Sequence, residues 1–261
     1  MSNSEKIIEI KDLKMTYGDK EVLKGINLDI YKGNIIGYIG SNGAGKSTTI
    51  KILLGLVKGY SGEVSIFGQD IENEDNNYKE KIGYVPEIAK VYESLTAREY
   101  LTFTGQIYGL DYEECDEKAL KLMEVLGIEE AYNSRLSSFS KGMKQKVVII
   151  SALIHNPDIL FLDEPLSGLD ANSVLLIKEI LQKLKEDGKT IFYSSHIMEV
   201  VEKLSDRIIL LNEGNIVADG NFEEIKNCNF EGSLEEIFNN LTGFDEHSEL
   251  ATKFVDILRG E

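Results

Sequence analysis

Apolar and polar positions along the chain fall into two textures. Short apolar runs bounded by glycine, proline or polar clusters recur over residues 7–10, 22–30, 35–39, 63–66, 82–85, 159–162 and 190–193, and each reads as a strand. The first two are separated by the turn Tyr17-Gly18-Asp19-Lys20 and read as an N-terminal antiparallel β pair. From about 88 to 156 the spacing becomes helical. Thr96-Ala97-Arg98-Glu99 is a capping box opening a helix that should stop at Gly109. Leu120, Met123 and Leu126 mark a second helix over 116–126 ended by Gly127, and a third should run from Ser140 to the Asn156-Pro157 stop. Beyond it a helix over about 171–186 joins two strands, and Glu213-Gly214 marks a hairpin of 208–211 with 216–218. Strand–helix–strand units on both sides of a helical stretch predict an α/β fold with a mostly parallel sheet and a helical insert.

After Gly220 the pattern is helical again. Ser233-Leu234-Glu235-Glu236 is a capping box, and Leu250, Phe254, Ile257 and Leu258 form an apolar stripe. That stripe is expected to pack on its own domain, with a partner or dimer contact as the alternative.

Composition narrows the classes. A hydrophobic fraction of 42% is ordinary for a globular chain of 261 residues, but a net charge of −17 is not. Nucleic-acid binding needs Lys and Arg to displace phosphate counterions, so no nucleic-acid partner is expected. An anionic membrane surface would repel the chain for the same reason. No run approaches the ~20 apolar residues of a membrane span, and the start lacks a signal-peptide core. Cys115 and Cys228 have no metal-ligand spacing and suit a reducing cytosol. A cytoplasmic location is expected.

The chemistry concentrates where the run 35–39 ends. Gly40-Ser41-Asn42-Gly43-Ala44-Gly45-Lys46-Ser47 is a G-x-x-x-x-G-K-S loop between a strand and a helix beginning Thr48-Thr49, the setting of a phosphate-binding loop. Its glycines let consecutive N–H groups point at phosphate oxygens, and the helix adds its positive N-terminal dipole. Lys46 would reach the β- and γ-phosphates, and Ser47 would bind Mg²⁺. The strand 159–162 ends in Asp163-Glu164. A strand-end Asp in such enzymes shares Mg²⁺ with the loop hydroxyl, which assigns Asp163, and Glu164 could then orient or deprotonate the attacking water.

With these residues in view, the chain from about Ile7 to Gly220 resembles the nucleotide-binding subunit of an ATP-binding-cassette (ABC) transporter. Pro165-Leu166-Ser167-Gly168-Leu169-Asp170 looks like the family's D-loop, His196 like its switch histidine, and Ser137 to Met143 stands where its signature Leu-Ser-Gly-Gly-Gln belongs. The resemblance implies a P-loop NTPase core over 1–220 with the helical insert about 88–156, and a C-terminal helical extension over 221–261. It implies ATP and Mg²⁺ as cofactors, and a homodimer, or a heterodimer with a second cassette, around two ATP molecules. Tyr17 would stack on adenine, the loop residues Gly40 to Thr48 would cradle the phosphates, and Ser140 and Gly142 would face the partner's γ-phosphate. His196 would contact the γ-phosphate as a catalytic residue beside Glu164.

Two departures stand out. Lys141 and Met143 replace the signature's first Gly and its Gln, and Glu87 occupies the place of the Q-loop glutamine, where it could serve through Mg²⁺ or a Mg²⁺-bound water. The pattern is similar to single-cassette exporters of antibiotics, peptides or drugs, whose ATPase sits peripherally on the inner face of the cell membrane through an integral-membrane permease. That permease is expected to dock between Glu87 and Tyr100. A soluble ABC ATPase driving protein or iron–sulfur cluster assembly is the alternative.

Overall fold

The computed structural model describes residues 5–72, 77–228, 232–243 and 247–259. Two sheets carry the architecture. The first is antiparallel, with β1 (Lys6–Tyr17) pairing both β2 (Lys20–Tyr31) and β4 (Ser61–Ile66), and the short β5 (Gln69–Asp70) at its edge. The second orders β10 (Asn215–Gly220), β9 (Arg207–Asn212), β3 (Ile35–Gly40), β8 (Thr190–Ser194), β7 (Ile159–Asp163) and β6 (Ile82–Val85). It is parallel from β9 to β6, and only β10 runs antiparallel.

The parallel strands of the six-stranded sheet are buried on both faces, which is why they read as continuous apolar runs, whereas the antiparallel edge strand β10 alternates exposed and half-buried positions. Ile35, Leu160, Leu162, Ile191 and Tyr193 enter one core, while Ile36, Tyr38, Ile159, Phe161 and Phe192 enter the other. The second core lies against the antiparallel sheet and α1 (Lys46–Leu53). The first is covered by the insert helices α2 (Ala97–Ile107), α3 (Tyr112–Val125) and α4 (Lys141–Leu153), and by α5 (Ala171–Glu186) and α6 (Met198–Leu204). Burying each large apolar side chain contributes about 1.5–3 kcal/mol.

Local sequence explains the insert. Thr96 and Glu99 form the expected capping box of α2, and Asp111 caps α3 by accepting from the Glu113 amide. That cap starts α3 at Tyr112, ahead of the expected start at residue 116. Arg98 is bidentate to Asp116, which also accepts from the Tyr132 hydroxyl at 2.7 Å, so α2, α3 and the following loop are braced together.

The C-terminal stretch contributes α7 (Phe222–Asn227), α8 (Leu234–Thr242) and α9 (His247–Arg259). The Ser233 capping box is present, and Leu234 and Ile237 are fully buried in the same core as α6. The Leu234 amide also donates to Glu202 of α6 at 3.2 Å. The expectation that the α9 stripe packs on its own domain does not hold. Phe254 and Ile257 are each 65% exposed and Leu258 is 71% exposed, because α8 already fills the space beside α6. Leu250 lies outside the residues whose side chains are described.

Gly83 marks the tightest strand–helix approach. A Cβ there would lie 2.2 Å from the backbone carbonyl of Ala152 in α4. Gly83→Ala should therefore lower stability by about 1–3 kcal/mol, the usual cost of overpacking. Urea denaturation checks this, and an unchanged midpoint would mean that the β6–α4 contact is soft.

Candidate active site

The site grows from the end of β3. Gly45 sits at φ +111°, and a Cβ there would approach Leu23 Cδ2 to 2.5 Å, so the loop can close against β2 only with glycine. Gly45 is also the N-cap of α1, and no side chain caps that helix. Its first-turn N–H groups and dipole are thus available to an anion. Thr49 braces the loop from behind, donating to the Gly45 carbonyl and accepting from the buried Tyr38 hydroxyl, both at 3.1 Å.

Lys46 Nζ donates to the carbonyls of Gly40 at 2.6 Å and Ser41 at 3.2 Å, which stretches the ammonium across the loop. Burial lowers its pKa, partly offset by the carboxylates of Asp163, Glu164 and Glu87. A half-buried ammonium held by neutral carbonyls is a receptor for a multiply charged anion.

Parallel pairing of β7 with β8 sets Asp163 opposite Ser194. Glu164, one residue beyond, adopts φ +50°, a left-handed conformation that non-glycine residues seldom take. It is held there by its N–H donating to the Ser194 carbonyl at 2.9 Å and by its own carbonyl accepting from Ser167 N at 3.1 Å. Such strain concentrates at functional positions. Its carboxylate has two neighbours: Ser195 Oγ donates to Oε2 at 3.1 Å, and His196 Nδ1 lies 2.8 Å from Oε1.

Asp163 is buried, and its pKa is raised, first by that burial and further by Glu87 and Glu164, while Ser194 and Lys46 hold it back. A carboxylate whose ionisation is disfavoured by burial and by like charges is suited to a divalent cation, which would relieve both costs. Asp163, the Ser47 hydroxyl and Glu87 line the same cavity and offer the hard oxygen donors that Mg²⁺ takes.

That cavity has a volume of about 670 Å³. It gathers Tyr17, Gly40, Asn42, Gly43, Gly45, Lys46, Ser47, Thr48, Glu87, Asp163, Glu164 and His196. Ser41 and Ala44, the remaining loop residues, face an adjoining cleft that α8 also borders. Ser140 and Gly142 line neither space. Ser140 instead caps α4 by accepting from Met143 N at 3.2 Å, and the N-terminus of that helix lies outside the cavity of this chain's own loop. The motif reading missed Lys20, Val22 and Ser194 in the cavity wall, and the bond from Lys141 Nζ to Ser167 Oγ at 3.2 Å. Only the β7–β8 register brings Ser194 there, and no motif spacing carries that information.

Comparison with known proteins agrees with this geometry. The profile of the ABC transporter family matches residues 23–167. The linearmycin resistance ATP-binding protein LnrL of Bacillus subtilis (strain 168) is 41% identical over 82% of this chain and 69% of its own length. The bacitracin transport ATP-binding protein BcrA of Bacillus licheniformis is 36% identical over 85% of this chain and 72% of its own. A solved ATP-binding subunit of an ABC transporter superposes with TM-score 0.84 and 33% identity, covering 90% of this chain and 99% of that one. A dimeric post-hydrolysis structure of the ATP-binding cassette MJ0796 with ADP and Pi gives TM-score 0.76 and 29% identity, covering 82% and 98%. The chain belongs to the ABC transporter family. It is an ATP-binding, ATP-hydrolysing subunit built on the P-loop fold, and among the described residues no helix is long and apolar enough to cross a membrane.

Tyr17 is 47% exposed at the rim of the cavity. Tyr17→Ala should weaken ATP binding by about 1–2 kcal/mol, near tenfold in dissociation constant, if adenine stacks on the ring. Calorimetry measures this, and equal affinities would remove Tyr17 from the site.

Proposed function

We propose that this chain powers an exporter of antibiotics or peptides, working as a pair of cassettes around two ATP molecules beneath a separate integral-membrane permease. The observation that carries the reading is the meeting, in one cavity, of the Lys46 loop, the Asp163–Glu164 strand end and His196. The names of LnrL and BcrA, resistance and transport proteins, favour export over the assembly of soluble proteins.

Loop residues 40–48 hold the triphosphate, with Lys46 on its β- and γ-phosphates. Tyr17 stacks on adenine. Ser47 and Asp163, with Glu87 nearby, would hold Mg²⁺, which when bound neutralises phosphate charge. Glu164 accepts a proton from water as the water oxygen attacks the γ-phosphorus, and the bond to the β-phosphate oxygen breaks to release ADP. His196 contacts the γ-phosphate, and Ser140 with the Gly142 amide caps the γ-phosphate of a second copy. Residues 1–220 form the nucleotide-binding unit, with 88–156 as its helical insert and 221–261 as an extension. The assembly sits at the cytoplasmic face of the membrane, held there by the permease.

Two experiments test the proposal. Glu164→Gln should keep ATP affinity while turnover falls about 100-fold or more, the scale of losing a general base. The variant should accumulate an ATP-bound dimer on size-exclusion chromatography. Hydrolysis at the parental rate would exclude Glu164 as the base.

The second concerns the permease. Ile88 and Tyr92 are 67% and 65% exposed, beside a helical insert packed into the core that it shares with the six-stranded sheet, and the Tyr92 ring lies 6.4 Å from Tyr100. An exposed isoleucine and an exposed tyrosine close to Glu87 suit a short amphipathic helix from the membrane subunit. Tyr92→Asp should leave melting temperature and isolated ATPase activity unchanged while permease co-purification and transport are lost. A loss of stability with a proportional loss of ATPase would place Tyr92 in the insert's core instead.

A further inference from the structure

Glu164 has two donors of different character. His196 is a largely exposed side chain, 78% accessible, and its contact with Oε1 can be exchanged for water or a bound molecule. Ser195 is 2% exposed and its contact with Oε2 cannot be exchanged in that way. The Ser195 oxygen is also held in place: it accepts from Ile197 N at 3.2 Å, at the entrance to α6, while its hydroxyl donates to Glu164 Oε2 at 3.1 Å beside the Tyr193 side chain. The backbone of Glu164 is tied to the same strand end, through the Ser194 carbonyl. One carboxylate oxygen is therefore pinned from the end of β8, and the other is left to face the cavity.

We propose that Ser195 is a positioning residue for hydrolysis, holding Glu164 Oε2 so that Oε1 is presented to the attacking water. This rests on the reading of Glu164 as the base. A carboxylate on a strained backbone, free to rotate about its side-chain torsions, would spend much of its time in unproductive orientations. A buried donor removes that freedom before ATP arrives. Ser195 lies outside the set of residues lining the cavity, so its loss should act on the chemical step and leave nucleotide binding alone.

Ser195→Ala should lower kcat about tenfold or more, the scale of a charge-assisted hydrogen bond, with KM for ATP within about twofold of the parent. Ser195→Thr, which keeps the hydroxyl, should recover most of that loss. Steady-state ATPase assays on the full chain, with melting temperature followed in parallel, give the readout. Parental kcat in Ser195→Ala overturns the proposal. So does a loss of kcat that Ser195→Thr shares and that tracks a lower melting temperature in both variants, since the role would then be structural. Glu164→Gln keeps the two ideas apart: if it is inactive while Ser195→Ala turns over normally, the base stands and only the positioning role falls.

Discussion

The parallel strands β3, β7 and β8 are buried on both faces, and their register decides where every charged group of the site can be. A sheet covered on both sides has no polar face, so charged side chains are confined to where strands end. In a parallel sheet those ends lie along one edge, beside the loops that lead to helices. Gly40, Asp163 and Ser194 close the three strands together. The phosphate loop, the acidic pair and the serine–histidine segment thus meet without any long-range contact designed for that purpose.

The electrostatics follow from that crowding. Three carboxylates and one half-buried lysine share a cavity: burial and the neighbouring carboxylates raise the Asp163 pKa, while burial lowers that of Lys46 and the same carboxylates partly offset it. Neither condition favours the empty protein. Both would be relieved by a ligand that brought phosphate oxygens to Lys46 and a divalent cation to Asp163, which supports the proposal of a metal–nucleotide pair at this site. The strained backbone at Glu164 is part of the same arrangement, with Ser194, Ser195 and Ser167 holding what local preference would release.

Much of this was legible in the residues. The strands were readable because burial on both faces writes unbroken apolar runs, and the phosphate loop because glycine spacing and lysine are demanded by local geometry. Asp163 and Glu164 were readable as a strand end next to that loop. The role of Ser195 was hidden, since serine beside histidine has no distinctive pattern and its meaning comes from the pairing of β8 with β7. The helix α6 was missed because seven residues give too little periodicity to mark it. The outward face of α9 was misjudged for a different reason. An amphipathic pattern states that a face is apolar, not which neighbour has already filled the core, and α8 holds that place through Leu234 and Ile237.

The central claim is that the backbone cradle and Lys46 hold a triphosphate, and calorimetric titration with ATP in the presence of Mg²⁺ tests it most directly. The account expects one ATP per parent chain, and for Lys46→Met, at unchanged melting temperature, an affinity lower by at least about tenfold, the worth of a charge-assisted contact. Equal affinity in parent and variant, or no binding by the parent, would contradict it.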